Sequence, residues 1–74
     1  MNFTHVFAKL LQSENITQTE LAKTLNVSKQ AITNLKKGTS LPSLDLLCEI
    51  AKFFEVSTDY LLGLEDEFGN KIST

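Results

Sequence analysis

Apolar residues recur at helical spacing through most of the chain. Phe3, Val6, Phe7, Leu10 and Leu11 fall at i, i+3, i+4, i+7 and i+8, which predicts an amphipathic helix over residues 2–13. The stretch "SEN" ends it, and "ITQTEL" marks the next start. Thr17 is placed to cap a helix, Glu20 to complete a capping box three residues on, and Ile16 and Leu21 to close as a hydrophobic staple. This second helix runs to about Leu25. The device recurs twice: Val27 precedes a capping Ser28 and pairs with Ile32, and Val56 precedes a capping Ser57 and pairs with Leu61. Gly38 suits the left-handed end of a third helix, and Pro42 breaks the link that follows. Ser43 caps a fourth helix through Phe54, and Gly63 closes a short fifth one, "STDYLL". No alternating strand pattern precedes residue 63, so the expectation is an all-α fold of five short helices. Residues 1–63 form the domain, and residues 64–74 an acidic tail or short dimerisation extension.

The third helix, within "VSKQAITNLKKG", spends its apolar residues on one side. Ala31, Ile32 and Leu35 face a core, which leaves Lys29, Gln30, Thr33, Asn34 and Lys37 together on the other face. That polar face is the feature that packing alone does not explain.

Composition narrows the possibilities. A chain of 74 residues is one domain, and at this size folding buries only about 60% of the surface of the unfolded chain, so every helix must serve a single core. A hydrophobic content of 42% suits a globular fold. The apolar runs fall far short of a membrane span and no secretory signal is visible, so a cytoplasmic protein is expected. Cys48, set among leucines in "LDLLCEIAKFF", reads as a small buried hydrophobe. The net charge of -2 hides an uneven distribution. Residues 1–42 carry five lysines against two glutamates, and residues 43–74 carry two lysines against seven carboxylates. Such a field turns the N-terminal half toward a polyanion, although a solvated surface without a partner has the same pattern.

Only "NVS" separates the second and third helices, with Asn26 suited to a left-handed turn. So short a link makes the two helices cross steeply, as in a helix-turn-helix. A generic helical hairpin has the same outline, and spacing does not separate the two. The wider pattern does. "TQTELAKTLNVSKQAITNLKKGTSLPSLDLLCEIAKFFEVSTDYLLG", from Thr17 to Gly63, resembles the lambda-repressor and Cro family of helix-turn-helix regulators, the Xre type. The match combines "TQTELA", a turn ending in "VS", "I..L..G", a proline before the fourth helix and the closing "VSTDYLLG".

The resemblance implies a compact five-helix domain that binds double-stranded DNA, with the third helix in the major groove and the start of the second braced on the backbone. By position, Lys29, Gln30, Thr33 and Asn34 are the expected base-contacting residues, and Gln18, Ser28 and Lys37 the expected phosphate contacts. Side-chain chemistry agrees: Gln30 and Asn34 each carry the donor and acceptor that adenine's major-groove edge complements, and Lys29 suits guanine or phosphate. Lys36 and Lys37 also complement the end of a helix dipole without any DNA. Two features depart from the family. Its frequent arginine–glutamate pair between the first and third helices is here Leu11 and Lys36, so both partners are lost together. The chain also has no arginine for a two-pronged guanine contact, which implies modest, salt-sensitive binding.

The fourth helix is apolar nearly all round, with Leu44, Leu47, Ala51 and Phe54 on one side and Leu46, Ile50 and Phe53 on another. The expected use of the surplus is a homodimer through Phe53, Tyr60, Leu61 and Leu64, reading a palindrome; a compact monomer that uses both faces is the alternative. After Gly63, "LEDEFGNKIST" suits a solvated tail, or a hairpin that packs Phe68 and Ile72. One histidine, no glycine-rich phosphate loop and no Cys/His cluster argue against an enzyme, a bound metal or a cofactor, and nothing indicates a small-molecule ligand. His5 reads as a surface residue. Repression is the mode the resemblance implies. A protein-interaction module of the same fold, such as an antitoxin or antirepressor, is the competing function.

Overall fold

The computed structural model describes residues 2–64. It has five helices: α1 (Phe3–Ser13), α2 (Gln18–Leu25), α3 (Lys29–Lys37), α4 (Leu44–Phe54) and α5 (Thr58–Leu61). Each lies where the apolar period and its cap place it. The alternatives for the segment after Leu64, an acidic tail or a hairpin through Phe68 and Ile72, lie outside the described residues.

The helix starts are built as the sequence indicates. Thr17 Oγ1 accepts from the Glu20 N–H at 3.1 Å, and Glu20 Oε1 in return accepts from the Thr17 N–H at 3.3 Å, which completes the capping box. Ser28, Ser43 and Ser57 each accept a backbone N–H of the first turn of α3, α4 and α5.

The helix ends hold a regularity that the staples only half reveal. α1, α2 and α4 are each followed by a residue in the left-handed region: Asn15 (φ 56°), Asn26 (φ 58°) and Glu55 (φ 57°). The next residue, Ile16, Val27 or Val56, donates its N–H back to Leu11, Ala22 or Ala51, each at 3.0 Å. All three of these apolar residues also pack against the core. One residue therefore closes a helix, and by its place before the next cap it staples the helix that follows.

α3 packs against both α1 and α2, α5 joins α1 to α4, and α2 touches α4. The shared core runs through all five helices. Phe3, Phe7, Leu21, Ile32, Ile50 and Leu61 are its largest fully buried side chains, with Phe3 and Phe7 stacked at 5.2 Å. The Asn2 N–H donates to the Leu62 carbonyl at 2.9 Å, so the start of α1 is clasped to the end of α5.

One expectation about α4 is corrected: Cys48 is exposed. Leu44 is 81% exposed as well. The buried arc is Leu47, Ile50, Ala51 and Phe54, at i, i+3, i+4 and i+7. Leu44 and Cys48, one turn apart, form a separate stripe, and the elements that pack on α4 cover only one side of it. Among the described residues, no helix is long and apolar enough to cross a membrane.

Candidate nucleic-acid interface

α3 divides as its sequence divides. Ile32 and Leu35 are buried, with Ala31 half-buried beside them. Ser28, Lys29, Gln30 and Lys37 are exposed, and Thr33 and Asn34 half-buried, so the residues expected to contact DNA share an accessible surface.

Two side-chain contacts organise that surface. Gln30 Nε2 donates to Asn34 Oδ1 at 3.0 Å, one helical turn away. The two amides are thus linked rather than separate: the Asn34 side-chain oxygen already accepts one hydrogen bond, and both donors on Nδ2 stay available. Thr33 Oγ1 lies 2.6 Å from Gln18 Oε1 and 3.1 Å from the Lys29 carbonyl. A threonine has one hydroxyl proton, and the shorter distance, typical of a good O–H···O bond, directs it to Gln18. With its oxygen held, Gln18 keeps its NH2 donors for another partner. It is the first residue of α2, beside the unpaired backbone N–H groups of the first turn.

The remaining expected contacts are placed by the ends of α3. Ser28 Oγ caps the helix by accepting the Ala31 N–H at 3.0 Å, which leaves its own O–H to donate. Lys37 is exposed in the last turn, and Gly38 follows at φ 84°. A β-carbon on Gly38 would meet Thr4 Oγ1 of α1 at 3.2 Å, so the residue allows both the left-handed turn and the close approach of the two helices.

Two lysines missed in the sequence border this surface. Lys9 lines an open cleft with Gln18, Lys36 and His5, and Lys23 shares a second cleft with Thr19 and Lys29. Their charge was legible, but their place was not, since helical periodicity does not say which solvated lysines tertiary packing gathers together. Leu11 and Lys36 border the first cleft too. Leu11 is 5% exposed and joins the core, whereas Lys36 is exposed, so the missing ion pair leaves no charge buried between the helices.

Of the residues expected at a dimer interface, Phe53 and Tyr60 are half-buried and Leu64 is 41% exposed. Leu61 is corrected. It is 0% exposed, because α5 is a single turn whose docking on α1 and α4 directs that side chain inward.

The helix-turn-helix family model matches residues 7–61. An uncharacterised HTH-type transcriptional regulator of Methanocaldococcus jannaschii is 47% identical over 53 residues, which cover 72% of this chain and 80% of the relative. The HTH-type transcriptional activator BcrR of Enterococcus faecalis is 38% identical over 66 residues, covering 89% of this chain and 32% of its own length. The HTH-type transcriptional regulator ImmR of Bacillus subtilis is 36% identical over 63 residues, covering 85% and 49%. The chain thus spans most of the archaeal relative but a half or less of these two bacterial ones. No solved structure matches it significantly. The chain belongs to the Xre-type, lambda-repressor-like family of helix-turn-helix transcriptional regulators, whose members are non-enzymatic DNA-binding proteins.

Proposed function

We propose that this protein regulates transcription by binding a palindromic operator as a homodimer, with α3 laid in the major groove of each half-site. The observation that carries the reading is the outer face of α3: an amide pair between two lysine-bearing ends, set beside a glutamine at the start of α2 that is tied to α3 by Thr33. Lys29, Gln30, Thr33 and Asn34 approach base edges, with Thr33 acting mainly by holding Gln18. Gln18, Ser28 and Lys37 donate to phosphates. Residues 1–42, with their excess of lysine, face the polyanion, and the acidic residues between 43 and 64 lie away from it.

Pairing through Phe53, Tyr60 and Leu64 sets the two α3 helices about 34–36 Å apart, one turn of DNA. Bound there, the dimer represses by excluding polymerase from the promoter. The relative in Enterococcus faecalis bears the name of an activator, and a promoter fusion measured with and without this protein decides the direction.

Binding is tested by titrating labelled duplex, selected from a random pool, with the wild-type protein and with a Lys29→Ala, Gln30→Ala double variant. The wild type retains a palindromic sequence and the variant loses it while staying folded. Equal retention of DNA by both overturns the use of this face on DNA, and a folded wild type that retains none overturns the proposal in favour of a protein-binding role for the same face.

A further inference from the structure

We propose that Gln30 and Asn34 read DNA as one coupled unit, in which Gln30 takes an adenine and Asn34 takes a base that presents acceptors, guanine or thymine. The inference rests on the reading that α3 enters the major groove, and specifies what each amide has left to offer there.

The argument begins at the 3.0 Å bond from Gln30 Nε2 to Asn34 Oδ1. A primary amide nitrogen carries two hydrogens. One lies beside the carbonyl oxygen and forms with it the two-point edge that fits adenine N6 and N7. The other points away, free to hold a neighbour without disturbing that edge. Gln30 therefore reads adenine and grips Asn34 together. Asn34 is in the opposite position: one of the two lone pairs of its oxygen already accepts from Gln30, so an adenine N6 group meets a partly used acceptor, while both Nδ2 hydrogens remain to donate. Guanine presents O6 and N7 in the major groove and thymine presents O4, and each accepts such a donor. The bond also orients both side chains before DNA arrives, since Gln30 is exposed and has little other packing to fix it.

Coupling of this kind makes a prediction that independent readers do not. Selection of sequences from a random duplex pool is run with wild type, Asn34→Asp and Gln30→Ala; both positions lie on the accessible face of α3, and circular dichroism confirms the fold of each variant. Wild type selects adenine opposite Gln30, and guanine or thymine opposite Asn34 by about ten-fold. Asn34→Asp still accepts from Gln30 but cannot donate, so adenine opposite Gln30 persists and the neighbouring preference moves to cytosine or adenine, which bear donors. Gln30→Ala releases the Asn34 carbonyl, and the base opposite Asn34 changes to adenine although Asn34 itself is unaltered. In the free protein, Asn34→Ala shifts the nuclear magnetic resonance signals of the Gln30 side-chain NH2. A Gln30→Ala selection that alters only the base opposite residue 30 overturns the coupling and leaves DNA reading intact. A folded wild-type protein that selects no sequence overturns the DNA reading itself, and the coupling with it.

Discussion

Thr33 and Gln18, fifteen residues apart, are joined by a 2.6 Å hydrogen bond, so a residue in the middle of α3 fixes the first side chain of α2. Thr33→Val keeps the shape and deletes the hydroxyl. The fold loses about 0.5–1.5 kcal/mol at most, the net worth of one ordinary hydrogen bond. DNA affinity falls several-fold, because the Gln18 amide is no longer oriented. In a double-mutant cycle with Gln18→Ala the two losses are strongly non-additive. Additive losses, measured by fluorescence anisotropy on the selected duplex, would show that Thr33 acts on its own contact with DNA instead.

Glu55 holds the same left-handed joint as Asn15 and Asn26, at φ 57° against 56° and 58°. The β-carbon of either residue crowds the following carbonyl there, but the short amide of asparagine offsets the conflict by hydrogen bonding locally, and the longer glutamate does not. Glu55→Asn therefore stabilises the domain by about 0.5–1 kcal/mol. A thermal melt rises by a few degrees, since about 1 kcal/mol moves the midpoint by roughly 4–8 °C in a domain of this size. An unchanged or lowered midpoint contradicts this account of the joint.

These joints show how far the sequence was legible. The staples at Ile16, Val27 and Val56 and the caps at Thr17, Ser28 and Ser57 are encoded within a few residues, and all six lie where the pattern put them. Asn26 was legible as a left-handed residue because asparagine favours that region, and Glu55 was not, because glutamate does not. The outward stripe of Leu44 and Cys48 was hidden for another reason: an all-round apolar helix does not say which side its neighbours will cover. In the candidate interface, one turn of helix was enough to place Gln30 and Asn34 together, whereas the Thr33–Gln18 contact spans two helices and needs their docking to be known.

Gly63 has φ 77°, and a β-carbon there would stand 2.7 Å from Asn2 Cβ. Gly63→Ala meets both obstacles, the backbone region and the contact with the start of α1, and no flexible side-chain end can swing aside. The expected loss exceeds about 1 kcal/mol. Urea unfolding then gives a lower midpoint with an unchanged slope. Gly38→Ala, whose nearest neighbour is the Thr4 hydroxyl at 3.2 Å, is the milder of the two. A reversed order contradicts the geometric argument.

The absence of arginine leaves lysines and amides to hold the DNA backbone. With about three to six phosphates neutralised by the proposed dimer, log affinity falls against log salt with a slope of roughly -3 to -5. Lys37→Ala lowers affinity on every duplex alike and reduces the slope by about 1 per phosphate contact removed. A Lys37→Ala protein that changes its preferred sequence instead would place this lysine on a base.

The bond from the Asn2 amide to the Leu62 carbonyl ties the first described residue to nearly the last. Loop-closure entropy increases with the length of chain enclosed, so this link must wait until the intervening helices have assembled. Deuterium uptake at that single amide accordingly clocks the parting of α5 from α1, and a slow Asn2 signal would certify that the ring of helices is shut.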